Sequence, residues 1–223
     1  MNPELWTNVD DYLASNLLRE DRVLESVLRA SDAAGLPAIQ VSATQGKLLN
    51  LLARMANARR ILEIGTLGGY STIWMARALP PQGRLITLEL EPRHADLAER
   101  NFAEAGISST IELRRGRAID SLAQLEREGV SDFDLTFIDA DKQSCAEYFN
   151  WAVRHTRLGG TIVVDNVVRN GAVLDERSAD EGVLGVRRFL AAVREDRRVD
   201  ATALQTVGAK GYDGVALAVV ISR

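Results

Sequence analysis

Apolar residues along this chain recur first at threes and fours and then in short unbroken runs. Over 2–16, 20–34 and 42–57 the spacing predicts three helices, with Val23, Val27 and Leu28 as one stripe and Leu48, Leu51, Leu52 and Met55 as another. Beyond them, runs near 60–65, 84–89, 110–114, 134–138 and 160–164 alternate with helix-like segments. A parallel strand covered on both faces reads as such a run, so the alternation predicts a mostly parallel sheet with helices on both faces. The tail departs from this pattern. ATALQTV at 201–207 and GVALAVVIS at 214–222 are separated only by GAKGYD, too short for a crossover helix, and predict a C-terminal antiparallel hairpin. Five runs and the hairpin make a seven-stranded α/β sheet. The 223 residues read as a single domain over 1–223, with a helical cap at 1–57 and an α/β core at 58–223. A longer irregular stretch, GAVLDERSADEG at 171–182, is either a solvated acidic loop or a segment that closes over a substrate.

Two of the strand runs end in oxygen ligands. DLTFIDADK at 134–142 and GGTIVVDN at 159–166 carry Asp139, Asp165 and Asn166 to strand ends that a doubly wound sheet brings together. Two carboxylates and one amide suit a hard divalent cation, magnesium, manganese or calcium, and not zinc. The plainer alternative is that the two aspartates cap the helices that follow. The first strand run ends in ILEIGTLGGYS, where Gly65, Gly68 and Gly69 permit a tight turn and a ligand close to the amides that open the next helix. A dinucleotide fingerprint would need glycines at 65, 67 and 70, but Leu67 and Tyr70 stand there and the pyrophosphate pattern fails. Glu63, inside the strand, is costly to bury without a cationic or hydrogen-bonding partner, which an amino-acid ammonium would supply. Glu89 ends the second strand, 24 residues past Gly65, where an acid accepts both hydroxyls of a ribose. Glu91 shares its strand parity but lies past the strand end beside Pro92. A glycine-rich loop without phosphate features, followed by a ribose acid, describes a site for S-adenosyl-L-methionine.

Charge and composition narrow the partners. A net charge of -4 gives no electrostatic case for nucleic acid or an anionic membrane. MNPELWTNVDDYL lacks the layout of a signal peptide, and no apolar run approaches the roughly 20 residues of a membrane span, so the expected location is cytoplasmic. The single cysteine, Cys145, reads as a packed helix residue. His94 and His155 fall in charge-rich helical stretches and are expected to be solvated. With Ser71 and Cys145 they form no defensible hydrolase triad.

LEIGTLGGYS, FIDADK and VVDN, in that order and spacing, resemble the class I, cation-dependent O-methyltransferases of the caffeoyl-CoA and catechol O-methyltransferase type. The resemblance runs from about residue 36 to the C-terminus and implies the Rossmann-like methyltransferase fold. It further implies that Glu63, Gly65, Thr66 and Ser71 contact the methionine moiety of S-adenosylmethionine and Glu89 its ribose. Val41, Ala118 and Asp141 would add cofactor contacts. Asp139, Asp165 and Asn166 match the family's metal ligands, Lys142 its catalytic base, and Asp139 and Asn170 the acceptor side. Catechol-type enzymes carry a tryptophan where this chain has Asp141, which makes the acyl-CoA and bacterial small-molecule branches the nearer match. The implied reaction is methyl transfer to a small catechol-like or phenolic acceptor with magnesium, in a homodimer joined through the N-terminal helices. Two alternatives stand beside it. One is a tRNA hydroxyuridine O-methyltransferase, for which Arg114, Arg115, Arg117 and Arg169 would form a basic cluster. The other is a non-catalytic adenosylmethionine-binding module.

Overall fold

The apolar runs become parallel strands: β1 (Arg60–Ile64), β2 (Arg84–Glu89), β3 (Ile111–Arg115), β4 (Phe133–Ile138) and β5 (Thr156–Asp165). The computed structural model, which describes residues 2–223, completes the sheet with β6 (Val199–Gly208) and β7 (Gly211–Val220). The strand order is β3-β2-β1-β4-β5-β7-β6, with only the β5–β7 and β6–β7 pairs antiparallel. Eight α-helices surround it: α1 (Pro3–Leu17), α2 (Arg22–Ala33), α3 (Ala43–Met55), α4 (Tyr70–Ala76), α5 (Pro92–Glu104), α6 (Ala118–Arg127), α7 (Cys145–His155) and α8 (Glu181–Glu195). Successive strand residues point to opposite faces, which divides the core in two. Ile61, Leu135 and Phe137 pack against α2, α3, α4 and α5, whereas Leu62, Ile64 and Ile138 pack against α6, α7 and α8. No helix among the described residues is long and apolar enough to cross a membrane.

The register sets where function sits. Ile64 pairs with Leu88 and Ile138, and Ile138 with Val164, so β1, β2, β4 and β5 end level with one another. Their loops emerge side by side. The crossing of two of these loops requires a glycine: Gly65 has φ +100, and a Cβ there would lie 2.0 Å from the Asp139 carbonyl oxygen. The same crossing is stitched by Asp139 N, which donates to Ile64 O at 2.9 Å.

Two expected boundaries shift. The hairpin strands each run ten residues and turn at Ala209–Lys210, so most of GAKGYD belongs to the ladder. Gly211, at φ +90, allows that tight reversal. The irregular stretch after residue 170 is also shorter than expected. A 3-10 turn covers Arg169–Leu174, and Asp180 caps α8 by accepting from Val183 N at 2.9 Å. The N-terminal cap is anchored to the hairpin tip through Asp10. Its carboxylate accepts from Ala209 N and Thr44 Oγ1, each at 3.0 Å.

Replacing Gly65 by alanine both forces a side chain into the Asp139 backbone and occupies a left-handed φ. We expect Gly65→Ala to lower unfolding free energy by about 2–4 kcal/mol in urea titrations. A loss below about 0.5 kcal/mol would show that the two loops separate freely.

Candidate active site

The level strand ends open into a cavity of about 850 Å³, a size suited to a small-molecule ligand. Val41, Gly65, Thr66, Ser71, Glu89, Ala118, Asp139, Asp141, Lys142 and Asn166 all line it. Of the other expected residues, Glu63 and Asp165 lie behind this wall, and Asn170 is exposed in the turn after β5.

Glu63 is wholly buried on the α4 side of β1, and hydroxyls meet it. Ser71 Oγ donates to Oε1 at 2.6 Å, Thr87 Oγ1 donates to Oε2 at 2.7 Å, and Thr72 Oγ1 also donates to Oε2. Burial outweighs these donors and pushes its carboxyl up to about 7, with the Asp139 charge adding to the rise. The sequence suggested an ammonium as the partner. Three hydroxyls from α4 and β2 take that place in this structure.

Glu89 organises the glycine-rich loop. Its Oε2 accepts from Thr66 N at 3.1 Å and Leu67 N at 2.7 Å, while Oε1 accepts from Glu91 N at 2.9 Å. Leu67 is held at φ 52, a left-handed conformation that these amide contacts offset. His94 Nδ1 lies 3.4 Å from Glu89 Oε1 and lines the cavity, so this histidine is not a solvated helix residue. His155 is not solvated either. It is buried, stacks on Trp151 at 3.7 Å between ring centroids, and sets Nδ1 2.8 Å from Trp151 O.

At the other end, Lys142 Nζ donates to Asp139 Oδ1 at 2.9 Å. The ammonium is buried, which pulls its pKa down, but Asp139 and then Asp165 overcome that effect and hold it above its ordinary value. Asp165 is raised by burial first and by the Asp139 carboxylate second. Gln45 Nε2 donates to both Asp165 oxygens, at 3.1 and 3.0 Å, and Asn166 N donates to Oδ1 at 2.8 Å. Among the described residues no three His, Cys, Asp or Glu side chains gather in a metal-like cluster. The expected ligand set holds only two residues of those types, with an amide as the third. Asp141 accepts from Ser144 N at 3.1 Å and Tyr148 OH at 2.5 Å. These donors bring its carboxyl below the ordinary range although burial, the largest influence, opposes them.

Gln45, His94 and Tyr148 were not anticipated as site residues. Gln45 and Tyr148 lie on helical faces whose spacing gives no sign of what they meet, whereas His94 follows Glu89 closely enough to have been considered. Of the four arginines suggested as a basic cluster, Arg117 and Arg169 line the cavity, whereas the other two are ion-paired. Arg114 pairs with Glu112 at 2.7 Å and Glu128 at 2.6 Å, and Arg115 pairs with Asp96 at 2.6 Å and Glu99 at 2.8 Å. Cys145 is buried, its thiol pushed up to about 12 by burial.

Over residues 14–221 the sequence matches the O-methyltransferase family. The chain belongs to that family. This O-methyltransferase is 53% identical over 220 residues to the catechol O-methyltransferase of Niastella koreensis, which covers 99% of this chain and 100% of the relative. Its fold superposes on the O-methyltransferase from Bacillus cereus, solved in complex with SAH, with a TM-score of 0.97 at 52% identity, covering 98% of this chain and 100% of the other. The O-methyltransferase TomG from Streptomyces achromogenes, involved in tomaymycin synthesis and solved in complex with SAM, matches with a TM-score of 0.96 at 51% identity over 100% of both chains.

The raised Glu63 carboxyl has a consequence for stability. The native chain keeps this proton up to about pH 7, while the unfolded chain releases it near the ordinary value of 4.5. Its contribution is therefore fully present below about pH 4.5 and is lost as pH rises toward about 7, by up to about 3 kcal/mol. Glu63→Gln should flatten that segment of the stability–pH curve measured by urea unfolding. An unchanged slope between pH 5 and pH 7 would mean that Glu63 is ionised in the native chain.

Proposed function

We propose that this O-methyltransferase moves the methyl group of S-adenosylmethionine to a hydroxyl of a small catechol-like or phenolic acceptor, with magnesium held by Asp139, Asp165 and Asn166. The observation that carries the reading is one continuous cavity. The glycine-rich loop and Glu89 form one end of it, and Asp139, Lys142 and Asn166 form the other. Relatives named as a catechol O-methyltransferase, or solved with SAM or SAH, support both halves.

The residues fit a divalent cation. Asp139 raises the buried Asp165, which sets the two carboxylates close together beside Lys142, and the neighbouring Asn166 amide adds a neutral oxygen. When bound, the cation would lower the pKa of a phenolic hydroxyl from about 10, and the sulfonium would supply an electrophilic methyl group. The chain does the rest. Glu89 and Val41 position the nucleoside end and Ser71 and Thr66 the amino-acid end, and Lys142 Nζ would receive the hydroxyl proton once a bound cation offsets the two carboxylates that keep it an ammonium. Leu90, Ile119 and Tyr148 add apolar wall to the cavity. Val9, Leu5, Tyr12 and Leu13 leave an apolar face of α1 uncovered beside β6, where we place the homodimer contact.

Excess EDTA should abolish methyl transfer while adenosylmethionine binding, followed by calorimetry, stays within about threefold. Full turnover in chelator would remove the cation from the reading. Lys142→Ala should lower kcat by roughly 10²-fold with little change in cofactor affinity. Wild-type kcat at pH 7 would leave Lys142 only as the partner of Asp139.

A further inference from the structure

Arg169 is a charged wall residue of the cavity that makes no ion pair among the described residues. Its Nε is buried and has no hydrogen-bond partner. Among the described residues no carboxylate lies within ion-pairing distance of its guanidinium, although Arg77, Arg114, Arg115, Arg157, Arg198 and Arg223 each meet one. A partly buried guanidinium with an idle donor is costly unless something outside the chain completes it.

The backbone is arranged to keep it there. Arg169 and Asn170 both sit at φ 55, a left-handed conformation unfavourable for such side chains, and Gly171 follows at φ 84. Asp213 Oδ1 holds the turn by accepting from Val168 N and Arg169 N, each at 2.9 Å. Strain of this kind persists where surrounding structure imposes it, and here it presents the side chain to the cavity.

Gly182, in the first turn of α8, shows what lies next to it. A Cβ built there would be 3.6 Å from Arg169 Nη2, 3.7 Å from Lys142 Cβ and 3.0 Å from Asp180 Oδ1. Guanidinium and lysine stem thus border one gap, which the missing side chain of Gly182 keeps open. Asp180 Oδ1 is engaged as the cap of α8.

We infer that Arg169 binds a carboxylate on the methyl acceptor, so that the acceptor is a hydroxylated aromatic acid, a dihydroxybenzoate or dihydroxycinnamate in type. This rests on the catechol-like reading above. A guanidinium matches a carboxylate with two parallel N–H donors, and the anionic end would lie beside Arg169 while a hydroxyl faces Lys142.

The test compares 3,4-dihydroxybenzoate with 3,4-dihydroxybenzamide, which differ in charge but hardly in shape. Affinities are measured on the full chain with SAH and magnesium, and kcat/KM on the same pair with S-adenosylmethionine. Binding of the acid at least about tenfold tighter than the amide is expected, with the same ordering in kcat/KM. Arg169→Asn, which tolerates the left-handed backbone, should bring the affinity ratio close to one, and Arg169→Lys should retain part of it. SAH affinity reports that each variant is folded. Equal affinity of the wild type for acid and amide, no binding of either, or a preference that survives Arg169→Asn would overturn the inference. So would a tenfold loss of SAH affinity in Arg169→Asn, which would assign the guanidinium to the cofactor. Preferential binding of the acid without any methyl transfer would uphold carboxylate recognition and defeat the proposed reaction, which keeps the two failures apart.

Discussion

The backbone of residues 139–142 is clamped between two glycines, and the rest of the site depends on that clamp. On one side, a Cβ at Gly65 would lie 2.0 Å from the Asp139 carbonyl; on the other, a Cβ at Gly185 in α8 would lie 2.0 Å from the Lys142 carbonyl. Neither position admits a side chain without moving backbone. Asp139, Asp141 and Lys142 are therefore located by close packing between the first strand's loop and a helix more than a hundred residues later. The glycine-rich loop and the segment after β4 share this contact, and they keep a fixed relation to each other.

Around the clamp, acids are buried by three different means. Hydroxyls surround Glu63, and backbone amides of the glycine loop satisfy Glu89. Amide donors from Gln45 and Asn166 serve Asp165. At Glu63 burial still outweighs the hydroxyls and raises the carboxyl. Asp165 is raised likewise, by burial first and by the nearby Asp139 carboxylate second. The same two carboxylates hold Lys142 protonated against its burial.

The sheet was legible because each central strand is covered on both faces and so appears as an uninterrupted apolar run. Leu62 and Ile64 face one core and Ile61 faces the other. The convergence of Asp139, Asp165 and Asn166 was legible for a related reason, since strand ends in such a sheet come together whatever lies between them. What escaped the sequence depends on contacts across the fold. Gly185 looks like any helical glycine, and its meaning appears only once Lys142 O is seen against it. His155 sits among charged neighbours in sequence but stacks on Trp151 one helical turn earlier, a four-residue relation that was open to view. The hairpin was found but cut short, because Gly208 and Gly211 resemble loop residues while pairing with each other at the end of the ladder.

The two ends of the cavity differ in how they are built. The cofactor end hangs on regular strands and on the first turns of α4 and α5. The acceptor end is bordered by a turn in which Asn166, Arg169, Asn170 and Gly171 all take positive φ, held by Asp213 from the neighbouring strand. A regular strand fixes its ligands through its ladder, so the reaction type can be read from family membership. A strained turn can carry different side chains on the same backbone path, provided an acceptor such as Asp213 restrains it. Family membership then leaves the acceptor open, and its chemistry has to be sought in the charges this turn presents to the cavity.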